Sequence, residues 1–68
     1  MDEDALNQSI RQFLKRVGVQ SQREIEHAIA QAQTDGKLGG GPYPARMTLE
    51  VGALELRVEF EGEIRIKP

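Results

Sequence analysis

The chain contains no cysteine. Disulfides, thiol nucleophiles and thiolate metal sites are therefore excluded together. No apolar run approaches the roughly 18 residues that a membrane span requires. The N-terminus reads Met1-Asp2-Glu3-Asp4, acidic and polar, where a secretory leader needs a basic start and an apolar stretch. These absences predict a cytoplasmic protein with no membrane role. Neither sign of charge dominates. Nine basic and eleven acidic residues give a net charge of −2, and the two signs are interspersed, as on an ordinary solvated surface. This balance gives no reason to expect nucleic acid. Sixty-eight residues predict one domain, residues 1–68, in which folding buries only about 60% of the surface the unfolded chain exposes. Such a chain has little left over for a deep pocket.

What is present is a change of period near residue 40. From Leu6 to Ala32 the apolar residues recur every three or four positions, and from Met47 to Ile66 mostly every second position. The first repeat returns side chains to one face of a helix, the second to one face of a strand. Leu6, Ile10, Phe13, Leu14 and Val17 form one helical stripe. Asp2, Glu3 and Asp4 at its start and Lys15 and Arg16 at its end suit the helix dipole. Gly18 reads as a stop, with Val19 folding back on Leu14. Ser21-Gln22-Arg23-Glu24 has the spacing of a capping box, the serine oxygen accepting the Glu24 N–H and the carboxylate accepting the Ser21 N–H. Ile25, Ala28, Ile29 and Ala32 then make a second stripe, closed by Gly36. The expectation is a helical hairpin over about residues 3–35.

Residues 36–45, with three consecutive glycines followed by Pro42 and Pro44, read as a connector. A phosphate-cradling loop would need a strand before the glycines and a helix after them, the reverse of the order here. Met47, Leu49 and Val51 alternate with polar residues, as do Leu54, Leu56, Val58 and Phe60. A two-residue turn at Gly52-Ala53 pairs Val51 with Leu54, Leu49 with Leu56 and Met47 with Val58. A second turn around Gly62, bulged or three residues long, would return Ile64 and Ile66 as a third strand. The predicted fold is α+β in two layers: the helical hairpin packed on a three-stranded antiparallel β-meander over residues 46–67, in the order ααβββ.

Glu3-Asp4-Ala5, the stretch from Arg16 to Glu26 (Arg-Val-Gly-Val-Gln-Ser-Gln-Arg-Glu-Ile-Glu) and Glu61-Gly-Glu-Ile-Arg65 resemble a small bacterial family of uncharacterised proteins, a domain of unknown function, over nearly the whole chain. The resemblance implies a standalone bacterial cytoplasmic protein. It implies no activity and no site residues.

Candidate chemistry is sparse. Glu24 and His27 have the Glu-x-x-His spacing of helical-bundle metal sites, but those sites need a second such motif and further glutamates from four helices. His27 should face water, and Glu24 is engaged by the cap. Ser9 and Ser21 are the available serines, and no third group orients His27 toward either. No catalytic, metal or cofactor residues are therefore assigned, and the chain is not expected to be an enzyme. The run from Phe13 to Ile25 has the outline of a helix-turn-helix. In that alternative Arg11, Lys15, Arg16 and Arg23 would contact nucleic acid. The reading preferred from sequence is a small non-enzymatic protein-interaction or regulatory module. Its expected partner is protein, including a second copy joined through an edge strand or an apolar patch.

Overall fold

A computed structural model of the chain describes residues 1–68, which divide into two units, Met1–Leu38 and Gly39–Pro68. The first unit holds one continuous α-helix, α1 (Glu3–Thr34), 32 residues long. The expected helical hairpin is not formed. Gly18 and the Ser21–Glu24 motif both lie inside α1. A glycine in a helix interior costs only about 1 kcal/mol relative to alanine. A break there would orphan up to four amides and four carbonyls and would cut the apolar stripe in two.

That stripe shows why the helix runs on. Leu6, Ile10, Leu14, Val17, Ser21, Ile25, Ala28 and Ala32 follow one another at steps of 4, 4, 3, 4, 4, 3 and 4. The pattern repeats every eleven residues, close to three full turns, so the stripe stays on one side of a straight helix. Both of its ends are capped, and the one at Gly36 is where the sequence suggests a close. Asp2 is the N-cap, its Oδ1 accepting the Ala5 N–H at 3.1 Å, and Glu3 and Asp4 occupy the first turn. At the C-terminus Gly36 takes φ +69°. The Gly36 N–H donates to the Gln33 carbonyl at 3.1 Å and the Lys37 N–H to the Ala32 carbonyl at 2.8 Å, the paired bonds of a Schellman ending.

The second unit is an antiparallel hairpin of β1 (Tyr43–Val51) and β2 (Leu56–Ile64). The sheet has two strands, not three. No turn forms at Gly62; β2 runs through it, and Gly62 lies opposite Ala45. Residues 60, 62 and 64 keep one parity, which an uninterrupted strand satisfies without a bulge. The first turn also differs from expectation. A single 3₁₀ turn at Gly52–Leu54 is followed by Glu55 at φ 54°, whose N–H donates to the Gly52 carbonyl. This longer loop shifts the register by two residues, so Val51 faces Leu56, Leu49 faces Val58 and Met47 faces Phe60. A shift of two preserves the facing of every side chain. β1 also begins earlier than expected, and the connector is ordered against it. The Tyr43 hydroxyl donates to the Gly39 carbonyl at 2.9 Å. Gly41, at φ +68°, lies where an added Cβ would be 3.6 Å from both the Tyr43 ring and Ile66.

Gly62 offers a direct check of this strand. An added Cβ there meets nothing within 4 Å, and strand interiors favour branched residues over glycine. Gly62→Val is expected to raise stability by about 0.5–1 kcal/mol, read from the denaturation midpoint. A lowered midpoint would place a turn at this position after all.

Candidate interaction surface

The register sorts the hairpin into two unlike faces. Tyr43 pairs with Ile64, Ala45 with Gly62, Met47 with Phe60, Leu49 with Val58 and Val51 with Leu56. Because side chains alternate along a strand, these five pairs share one face, and apart from the Tyr43 hydroxyl it carries no polar side-chain group. The opposite face pairs Pro44 with Glu63, Arg46 with Glu61, Thr48 with Glu59 and Glu50 with Arg57. It holds four glutamates against two arginines. Arg57 approaches Glu50 across the strands at 3.5 Å and Glu59 along its own strand at 3.6 Å. Arg65 approaches Glu63 at 3.5 Å. All of these pairs are solvated, so they set the character of the face more than its stability.

No side chain in the chain is buried. Phe60 is 56% exposed on the hairpin face and Leu14 54% exposed on the α1 stripe. Val17, Ser21, Ile29 and Ala32 are half-buried by their helical neighbours, as are Tyr43, Ala45, Leu49 and Ile64 in the hairpin. Leu54, in the turn, is 73% exposed. A two-stranded hairpin is marginal in water without a third strand or a helix against it, and most helical stability in proteins comes from packing an apolar face.

The residues expected to carry chemistry are spread along one helix. Arg11, Lys15, Arg16 and Arg23 are all exposed on α1. At about 100° per residue, Arg11 and Lys15 share one side, and Arg16 and Arg23 lie roughly a third of a turn away. The turn that a helix-turn-helix requires is absent, since α1 continues through Gly18 to Gln22. Ser9 Oγ donates to the Leu6 carbonyl at 2.9 Å. The capping box is not formed; Gln22 instead donates to Glu26 at 3.4 Å, and Gln31 donates to Asp35 at 3.1 Å. These are the i,i+4 contacts of a solvated helix surface. His27 is exposed beside them.

Two depressions mark the second unit. One lies over Pro44–Arg46 and Glu61–Glu63, the other between Gly40–Pro42 and residues Arg65–Pro68. Neither gathers an acid, a base and a nucleophile. No helix of the chain is long and apolar enough to cross a membrane.

A family model, a family of unknown function (DUF6494), matches residues 1–67. The chain belongs to this family. The match covers both the helix and the hairpin, in keeping with a resemblance that already rested on segments from both halves. No curated protein and no solved structure matches the chain.

Sequence reasoning missed two parts of this surface. The continuity of the α1 stripe was carried by the eleven-residue spacing, in which Ser21 substitutes for an apolar residue. The extension of the hairpin face to Tyr43, Ala45 and Gly62 was carried by parity, hidden behind a proline and a glycine that read as loop residues.

Proposed function

We propose that the chain is a small, non-enzymatic interaction module whose apolar faces are covered by another protein chain. One observation carries this reading: the large apolar residues of α1, Val19 apart, and those of the two strands are sorted onto one face of each element, yet none of them is buried. Sorted apolar residues left in water mark a surface made to be covered. The two strands of the hairpin are also both edges, open to strand addition. The polar face of the hairpin, with its excess of glutamate, disfavours a phosphate backbone as partner. The cytoplasm is the compartment this reading assumes.

The isolated chain is expected to associate, with a thermal midpoint that rises with concentration, or to remain a monomer that binds a hydrophobic dye and melts without cooperativity. Sedimentation and circular dichroism across a concentration series distinguish these. A monomer with a cooperative, concentration-independent transition would overturn the reading, because it would bury its own apolar faces.

A second expectation concerns nucleic acid. Duplex DNA should show no appreciable affinity at physiological salt, since counterion-driven binding needs several cations on one side, and Arg11, Lys15, Arg16 and Arg23 are divided between two. Titration of labelled duplex at two salt concentrations is the check. Salt-sensitive micromolar binding lost in Arg23→Ala would restore the nucleic-acid alternative.

A further inference from the structure

We infer that α1 pairs with the α1 of a second copy, antiparallel, about a two-fold axis passing beside Ser21. The inference rests on the interaction-module reading and names the occupant of one of its faces. From Ile10 to Ala32 the stripe is a palindrome in position. Counting outward from Ser21, seam residues occur at four, seven and eleven positions in each direction: Val17 and Ile25, Leu14 and Ala28, Ile10 and Ala32. A two-fold contact requires this symmetry, because residue i then meets residue j and j meets i.

The side chains at those positions complement one another only in the antiparallel sense. Ile10 lies level with Ala32 of the second copy, Leu14 with Ala28 and Val17 with Ile25, so a bulky residue faces a small one toward each end. Ser21 meets its own copy at the axis, where a small side chain permits close approach and the two hydroxyls can share a hydrogen bond. A parallel pair would stack Leu14 on Leu14 and Ala28 on Ala28, crowding one end and leaving the other loose.

Charge favours the same orientation. Residues 11–23 carry Arg11, Lys15, Arg16 and Arg23 and no acid, while Glu24 and Glu26 follow them. Antiparallel pairing about Ser21 brings Glu26 level with Arg16 and Lys37 level with the acidic first turn. A parallel pair would set each of these charges beside its own copy, and would align the two helix dipoles. The eleven-residue period lets two such helices lie side by side with little supercoiling over the whole seam.

The absence of cysteine makes the pairing directly testable in the full chain. Ser21→Cys, Ile10→Cys and Ala32→Cys are made singly, their helicity is compared with the unsubstituted chain, and each is oxidised and run on a non-reducing gel. Disulfides need Cα atoms within about 7 Å, a spacing that two packed antiparallel helices offer between residues level with each other across the seam, which for a single substituted position means the residue at the axis. Ser21→Cys is expected to form a cross-linked dimer, with Ile10→Cys and Ala32→Cys alone slower by about tenfold or more and a mixture of those two cross-linking to each other. Equal cross-linking by all three single variants would mean a parallel pair. A dimeric chain in which Ser21→Cys does not cross-link would mean another register or another face. Either result overturns the inference and leaves the module reading intact. A monomeric unsubstituted chain also overturns it, and a cooperative melt of that monomer would remove both.

Discussion

Gln22→Pro is expected to cost about 3 kcal/mol or more and to remove a large share of the helical circular dichroism. Position 22 lies deep inside α1 (Glu3–Thr34). Proline there deletes the N–H that bonds one turn back, and its ring collides with that turn's carbonyl. The same substitution separates the observed helix from the hairpin that local signals suggest. Were Ser21 a true N-cap, residue 22 would be the first helical position, where proline is well accommodated. Urea denaturation followed at 222 nm decides between them. A midpoint within error of the unsubstituted chain would show that the helix starts anew at Ser21.

A single chemical change, glycine to alanine, should act with opposite sign at two positions of the same helix. Gly18→Ala is expected to stabilise by about 1 kcal/mol. Its backbone is helical, outside the left-handed region, and an added Cβ meets nothing within 4 Å. Gly36→Ala is expected to destabilise by about 1–2 kcal/mol. Space is not the reason, since Gly36 is equally open. Its φ of +69° closes the Schellman ending, and an L side chain in that conformation is strained. The two denaturation midpoints should move apart. If both fell, Gly18 would be a turn residue like Gly36, and α1 would be two helices.

These substitutions touch the places where local and long-range signals disagree. Asp2 at the helix start, Gly36 at its end and the switch of period near residue 40 were legible because each is a local rule with one geometric solution. Gly18 and Ser21-x-x-Glu24 obey local rules as well, each worth about 1 kcal/mol. Here they are overruled by a sum: a seam from Leu6 to Ala32 that stays in phase only if the helix is unbroken. The hairpin shows a different kind of ambiguity. The apolar face was legible from parity alone. The register was not, because a slip of two residues leaves every side chain facing as before, and only the loop through Glu55 decides it. The start of the expected third strand, to Ile64, is part of β2, because Gly62 has the composition of a turn and the parity of a strand. For the candidate surface, the apolar faces were readable from sequence, and the positional symmetry about Ser21 emerges only once the helix is known to be continuous.

The two-stranded sheet has a consequence for any assembly that would form through its edges. A chain that docks on the outer edge of β1 or β2 completes one row of hydrogen bonds and presents a new, equally open row. Strand addition between copies is therefore not self-limiting, and unchecked it grows into a ribbon. Pro44 interrupts the row of donors along β1, and Lys67-Pro68 follows β2 with a charge and a second proline. A two-fold helix contact, by contrast, closes on itself after one partner. A chain built this way would count to two through its helix while its edges are held from counting further.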